Sequence, residues 1–173
     1  MSVEHLLIGD VRLSSITGSM DKPANILAAE RFVELVTKCE SPSIQMLSRH
    51  LDELALSYHD TPDGDPEDSD EQPGPEYRVS HPNISSRFPD LGYYGTTDPT
   101  EVPGQSMVGD AIDDITDIAN DLNEVLWRYE RFGPDDANWH FRFLYQVHWG
   151  EHLRDLARHL HVHQRAEATQ NSA

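Results

Sequence analysis

Two histidines, His148 and His152, lie four positions apart in the sequence His-Trp-Gly-Glu-His. Side chains at this spacing project from the same side of a helix. Neutral imidazoles combined with carboxylates suit zinc, manganese or iron. The pair could therefore bind a divalent transition metal if a neighbouring element supplies aspartates.

Aspartates are abundant in the segment 109–131, where apolar residues recur at helical spacing and predict a helix, called helix C here. Because successive helical residues are turned by about 100°, Asp114 and Asp121 lie near the edge of the apolar stripe. Asp113 and Asp117 point away from it and would join a site only if helix C turned its acidic face inward. The candidate metal ligands are His148, His152, Asp114, Asp121, Asp117 and Asp113. A simpler interpretation is that these carboxylates complement the helix dipole and solvate the surface.

The histidines belong to a second predicted helix, helix D, which extends from Asp135 to His163. At least one of the two should be buried, and a buried imidazole needs hydrogen-bond partners. In an antiparallel pair of helices, Asp114 and Asp121 could be these partners. The contact could be structural and join the two helices, or it could hold a metal, and both interpretations stay open. The apolar face of helix D consists of Phe141, Tyr145, His148, His152, Leu156 and Leu160.

Aromatic residues suggest a different kind of site, a small-molecule pocket. Residues 77–105 are too apolar for a disordered linker, and their prolines prevent a long helix, so an ordered irregular segment over the helices is expected. Side chains of this segment could line a pocket together with tryptophans of helix D. The candidate pocket residues are Arg87, Tyr93, Tyr94, Trp139 and Trp149. The alternative is aromatic packing, with the arginine paired to the acidic surface.

Several motifs with known chemistry are missing from the sequence. It contains no Gly-rich phosphate loop, no Gly-x-Ser-x-Gly elbow and no His-Glu-x-x-His motif. Cys39 is the only cysteine, so an internal disulfide and a cysteine-rich zinc site are both excluded. Any chemistry is therefore expected from histidines, carboxylates and aromatic residues.

The predicted fold is all-α. Helix A begins near Pro23, and helix B begins at Pro42 with Ser41 as its N-cap. Helices A and B, and helices C and D, are joined by short turns, so each pair should form an antiparallel hairpin. The expected architecture is a four-helix bundle of these two hairpins, joined by a long irregular crossover, with no sheet. The predicted core includes Leu47, Leu51, Ile115, Leu122, Leu126, Leu144 and Leu156.

The 173 residues suit one domain. Residues 1–19 lack a regular pattern and are interpreted as a weakly structured N-terminal extension. Residues 20–163 form the single helical domain, and residues 164–173 are expected to be a disordered tail. Within the domain, residues 60–76 combine eight acidic residues with four prolines and no Lys or Arg, which predicts a flexible, solvated loop.

The formal net charge of −18 limits the classes of partner. Binding to nucleic acid or to an anionic membrane surface needs a basic face, so neither partner is expected. A basic protein partner or a metal ion is compatible with the charge. No apolar run approaches the ~20 residues of a membrane-spanning helix, and no signal peptide is recognised. A cytoplasmic protein is therefore expected.

Three stretches together resemble a bacterial family of short helical proteins of unknown function. They are Phe-Pro-Asp-Leu-Gly-Tyr-Tyr from position 88, Asp-Asp-Ile-Thr-Asp-Ile from position 113, and Trp139 followed by His-Trp-Gly-Glu-His. Members of the family carry an Asp-Asp-x-x-Asp-Ile motif and a later His-Trp-Gly-x-His motif. The resemblance covers residues 23–163 and implies a helical fold and which residues matter, but no reaction.

Three hypotheses on function follow, and they belong to different classes. The preferred one is a non-enzymatic interaction module that acts through its acidic surface. The second is a metal-dependent or acid–base site between helices C and D, built on the two histidines and the aspartates. The third is a helical bundle that binds a small molecule.

Overall fold

The computed structural model describes residues 22–170, so the proposed N-terminal extension lies outside the described residues. Helix α1 spans Ala24–Thr37 and helix α2 spans Ile44–Asp60. The N-cap of α2 is Ser43, whose side-chain oxygen accepts a hydrogen bond from the Met46 amide at 3.1 Å. The assignment of Ser41 as N-cap is therefore wrong: the hydroxyl that reaches the third amide of the helix belongs to the serine after Pro42.

The crossover contains more regular structure than expected. A 3-10 turn at Pro75–Tyr77 and a short helix α3 at His81–Arg87 precede strand β1, Tyr93–Thr97, and strand β2, Ser106–Asp110. The strands are antiparallel. The expectation of no sheet is therefore wrong. The strands are not visible in the sequence, because neither has a buried face that would produce the apolar alternation on which strand prediction depends.

Residues 61–74 have no regular secondary structure, and they contact α4 and α5. The Glu67 amide donates a hydrogen bond to Asp136 Oδ1 at 2.8 Å. Arg131 donates twice to the Glu71 carboxylate, and Arg142 donates to the Thr61 carbonyl at 2.9 Å. The predicted flexibility of this acidic segment remains a prediction, but its ends and its middle have defined partners.

Helix α4 spans Ala111–Phe132, and its N-cap is Asp110, whose carboxylate accepts a hydrogen bond from the Ile112 amide at 3.0 Å. Gly133, with φ 98°, then turns the chain into helix α5, Pro134–Leu144. A positive φ at this position favours glycine.

The predicted helix D is not one continuous α-helix. A π-helical turn at Tyr145–Trp149 separates α5 from helix α6, Gly150–Gln170. The Gly150 amide donates to the Tyr145 carbonyl, five residues earlier, which is the π pattern. A Cβ on Gly150 would lie 2.2 Å from that carbonyl oxygen, so the close backbone that this glycine accommodates belongs to its own helix and not to the crossover.

The π turn changes which side chains face the core. From the last residue of the turn onward, the side chains that face the core include Trp149, Leu153 and Leu156, which are all at most 1% exposed. The predicted inward position of the histidines is wrong, since 44% of the His148 side chain and 27% of the His152 side chain are exposed. One extra residue in the turn displaces the pair to the edge of the core.

The core lies between α1, α2, α4, α5 and α6, with α3 packed against α1 and α4. Of the seven predicted core residues, Leu47, Leu51, Ile115, Leu122 and Leu156 are fully buried. Leu126 and Leu144 are only partly buried at the edge of the core, which corrects that part of the prediction. The described chain is mainly helical, and it contains no helix that is both long and apolar enough to cross a membrane.

The described part of the predicted disordered tail is residues 164–170. Residues 164–170 continue α6, and Gln164 Nε2 donates a hydrogen bond to Ser48 Oγ in α2 at 2.9 Å. This contact extends the packing of α2 against α6 beyond Leu160, the last residue of the predicted apolar face of helix D.

Candidate metal centre

Two histidines of the π turn and α6 face two aspartates of α4. His148 Nδ1 lies 2.7 Å from Asp121 Oδ2, and His152 Nδ1 lies 2.8 Å from Asp114 Oδ1. An ionised carboxylate only accepts hydrogen bonds, so Nδ1 is the donor in both contacts. These contacts leave Nε2 of each ring as the nitrogen available to a ligand.

Asp117 lies between the two pairs. Its Oδ2 is 3.6 Å from His152 Nε2. One ligand atom from each of Asp117, His148 and His152 can be chosen such that all three lie within 4.8 Å of one another. Asp113, one turn before Asp117, is exposed and takes no part in this group. The Asp117 side chain is 33% exposed, and the displaced histidines lie close enough to contact it without a rotation of the acidic face of α4 into the core.

The cluster of these histidines and aspartates contains more carboxylates than imidazoles. Burial raises the pKa of Asp117, and the neighbouring Asp113 carboxylate raises it further against the opposing effect of the histidines. Burial also raises the pKa of Asp121, although its hydrogen bond to His148 acts in the other direction. The pKa of His152 is raised, chiefly by its hydrogen bond to Asp114. The cluster thus favours additional positive charge, whether a proton or a cation.

A tyrosine from strand β1 completes the arrangement. Tyr94 Oη donates to Asp114 Oδ2 at 2.5 Å, so both oxygens of this carboxylate are engaged. Burial, followed by the hydrogen bond to Asp114, strongly raises the pKa of the Tyr94 phenol. The Tyr94 ring stacks on the His159 imidazole with ring centroids 4.5 Å apart. The sequence makes Tyr94 a candidate for a pocket or for aromatic packing. Its contact with Asp114 is not predicted, because nothing local to the sequence indicates that a hairpin contacts α4.

The sequence matches a protein-family model over residues 27–166, and the model is described as a domain of unknown function (DUF5063). The chain belongs to this family. This family has no assigned activity, which agrees with the resemblance described from the sequence. No curated protein matches the chain.

The fold of this DUF5063 chain is also similar to a solved structure. The crystal structure of protein BF1032 from Bacteroides fragilis superposes with a TM-score of 0.59 at 18% sequence identity. The match covers 80% of this chain and 88% of BF1032. At this identity the likeness concerns the fold alone.

The five candidate pocket residues of the DUF5063 chain do not line a common cavity. Trp149 is fully buried in the core, and Tyr93 is 80% exposed. Arg87 donates to the Cys39 carbonyl and lines a groove beside the start of α2. Trp139 stacks on Phe143 and lines another groove, of about 320 Å³, next to the acidic segment. Tyr94 alone lies beside the histidine–aspartate cluster.

Proposed function

We propose that this protein binds one divalent transition-metal ion between α4 and the π turn and start of α6, with Asp117, His148 and His152 as its ligands. The observation that carries the proposal is the proximity of their three ligand atoms, within 4.8 Å of one another. The frame that would hold this site is the four-helix bundle expected from the sequence, with α1, α2 and α4 as helices A, B and C, and with α5, the π turn and α6 in place of helix D.

Distances and tautomers support this ligand set. Two ligands that lie about 2.0–2.2 Å from a tetrahedral zinc ion are about 3.4 Å apart, close to the 3.6 Å between His152 Nε2 and Asp117 Oδ2. Histidines that bind a metal through one nitrogen usually donate the other N–H to a carboxylate or carbonyl. Asp121 and Asp114 provide this partner for His148 and His152, respectively.

Charge supports the same conclusion. Three aspartates of α4 (114, 117 and 121) contact the two imidazoles, and Asp113 lies close enough to Asp117 to raise its pKa. Ionisation of Asp117 and Asp121 is disfavoured by burial and by neighbouring carboxylates. A bound dication would offset this repulsion, since nearby positive charge favours the ionised carboxylate.

Three protein ligands leave at least one coordination position open. Two histidines and one carboxylate are the ligand types of zinc hydrolases and of iron oxygenases, in which water or substrate takes the remaining positions. About a third of the Asp117 side chain, 33%, is exposed, so the position is accessible from solvent. Such a metal supplies Lewis-acid chemistry or an activated water.

A structural role, an interaction surface and a small-molecule site are the alternatives to a metal centre. The His–Asp hydrogen bonds also join α4 to α6, and a purely structural role would require no metal. An interaction with a basic partner through the acidic surface remains a prediction from the charge of −18. The small-molecule hypothesis loses its main support, because its candidate residues are dispersed.

Titration of the untagged, chelator-treated protein with Co²⁺ or Zn²⁺ tests the proposal. We expect one ion per chain, a Co²⁺ visible spectrum typical of mixed nitrogen and oxygen ligands, and loss of binding in His152→Gln and Asp117→Asn. His161→Gln is the matched control, because His161 is exposed on the same helix. Absence of stoichiometric binding, or an equal loss in His161→Gln, would refute the metal site.

A further inference from the structure

We propose that Asp114 and Tyr94 are positioning residues of this centre, and that hairpin β1–β2 controls metal affinity by holding the His152 imidazole in place. This inference rests on the metal site proposed above. It assigns a role in that site to a strand that supplies no ligand.

A chain of hydrogen bonds connects the hairpin to the proposed ligand. Tyr94 Oη donates to Asp114 Oδ2 at 2.5 Å, and His152 Nδ1 donates to Asp114 Oδ1 at 2.8 Å. With Nδ1 committed, the lone pair of the neutral imidazole resides on Nε2, which faces Asp117 Oδ2. Asp114 therefore fixes the tautomer and the direction of the ring at once.

The two histidines are supported unequally. The Asp114 side chain is 8% exposed and receives donors at both oxygens. Asp121 is 15% exposed, and within residues 22–170 His148 is its one side-chain donor. The His152 side of the site is thus the more rigid, and loss of Asp114 should weaken metal binding more than loss of Asp121.

The Tyr94 ring is itself confined. It pairs across the hairpin with Gly109, where an added Cβ would lie 2.5 Å from Tyr94 Cζ, so the missing side chain gives the ring its space. His159 stacks on the ring at 4.5 Å. These neighbours direct the hydroxyl to Asp114 without any contribution from the metal ligands.

The hairpin is attached on both sides of this ring. The Ala111 amide donates to the Gly92 carbonyl at 3.1 Å, where the hairpin joins α4. Thr96 Oγ1 donates to Asp155 Oδ2 in α6 at 2.9 Å. The Thr96 contact stabilises the same hairpin but lies outside the hydrogen-bonded chain to His152, which makes it a control for loss of hairpin stability.

Metal affinity of point variants tests the inference. Tyr94→Phe removes one hydroxyl and keeps the ring between Gly109 and His159. Because residues that hydrogen-bond a metal ligand typically contribute about 10–100-fold to affinity, we expect the Co²⁺ dissociation constant to rise about tenfold in Tyr94→Phe and further in Asp114→Asn. Tyr93→Phe, on the same strand and 80% exposed, should bind like the wild type.

The thermal midpoint of each metal-free variant separates positioning from folding. Thr96→Val should lower the midpoint and change Co²⁺ affinity less than Tyr94→Phe does, whereas Tyr94→Phe should lose affinity at a temperature where it is fully folded. Asp114→Asn should also alter the visible spectrum of bound Co²⁺. Wild-type affinity in Tyr94→Phe, measured where the wild type binds and His152→Gln does not, would overturn the positioning role and leave the metal site standing. No binding by the wild type would instead refute the site itself.

Discussion

Asp117 occupies an unfavourable position for a charge in the cluster. Its carboxylate is partly desolvated and lies beside Asp113, and both effects raise its pKa above the ordinary value. Residues kept at a cost to stability are typical of functional sites. A ligand role would explain why an aspartate stands at this position.

We expect Asp117→Asn to separate function from stability. The uncharged amide removes the repulsion from Asp113, so the thermal midpoint of the metal-free protein should stay the same or rise. Metal affinity should fall by more than the ~10–100-fold that is typical of residues hydrogen-bonded to a ligand. Calorimetric unfolding in a chelator and Co²⁺ titration measure the two effects. A marked loss of stability without metal would indicate that Asp117 has a structural role.

The pH dependence of stability should report on His152. Its folded-state pKa is raised above 6.5, mainly by the hydrogen bond to Asp114. The folded protein therefore holds this proton more tightly than the unfolded chain, and the resulting stabilisation is fully present below pH 6.5. It is lost as the pH rises through the raised pKa.

The measurement is the thermal midpoint in a chelator, followed from about pH 6 to about pH 9. We expect the wild-type midpoint to decrease across this window and the decrease to be smaller in His152→Gln. His161→Gln serves again as the comparison on the same helix. Parallel curves for the wild type and His152→Gln would show that the His152–Asp114 pair contributes nothing to the slope.

The two histidine–aspartate pairs of the site could be predicted from the sequence. Helical spacing placed Asp114 and Asp121 at the edge of the α4 stripe, and the structure brings both to the histidines. Helical spacing predicts that Asp117 points away from the stripe. Its contact with the histidines is not predicted, because the sequence contains no sign of the π turn that moves them toward it. Tyr94 could not be assigned, since its contact with Asp114 depends on the geometry of a hairpin.

At the scale of elements, the π turn decides what faces the core. A continuous helix would direct the histidines inward, whereas the extra residue gives this position to Trp149, which is fully buried. Both arrangements have similar apolar spacing in the sequence, so periodicity cannot distinguish them. Burial of the large indole removes more apolar surface from water than burial of an imidazole would, although Trp149 Nε1 has no hydrogen-bond partner among the described residues.

We expect Gly150→Ala to disrupt this element. The new Cβ would lie 2.2 Å from the Tyr145 carbonyl oxygen, so the turn must change shape. Such steric conflict typically costs about 1–3 kcal/mol, which outweighs the gain of about 1 kcal/mol in helix propensity of Ala over Gly. Thermal unfolding should show a lower midpoint, and metal affinity should fall because the histidines lie in and just after the turn.

Gly95→Ala is the control for this substitution, because an added Cβ on Gly95 meets nothing within 4 Å. It should leave both stability and metal affinity nearly unchanged. If Gly150→Ala were as stable as the wild type, the turn would be able to revert to a regular α-helix, and its dependence on glycine would be disproved.

Different elements were predictable to different degrees. Helices α1, α2 and α4 follow from apolar residues spaced three and four apart, which persist because one face of each helix is buried. The hairpin has no buried face, and its aromatic residue Tyr94 makes its contact through a hydroxyl. Elements that bury apolar stripes are visible in a sequence, and elements held by a few polar contacts are not.

At the scale of the whole molecule, the acidic segment 61–74 divides the chain into two parts that share one core. The first part contains α1 and α2, and the second contains the remaining elements. Helix α1 packs against α4, and α2 packs against α6. Phe32 of α1 and Leu51 of α2 are fully buried in the common core, so neither part buries its apolar face alone.

Cleavage within the acidic segment should therefore leave the two parts associated. The segment has no regular structure, and most of its side chains are exposed, so a glutamate-specific protease should cut at Glu67 or Glu71 before it cuts within a helix. The hydrogen bonds to Asp136 and Arg131 would be lost on cleavage, but the contacts between α1 and α4 and between α2 and α6 would persist. We expect the cut protein to elute as one species in size-exclusion chromatography and to separate only in denaturant. Initial cleavage inside α2 or α4, or separation of the fragments in native buffer, would contradict a core shared across the segment.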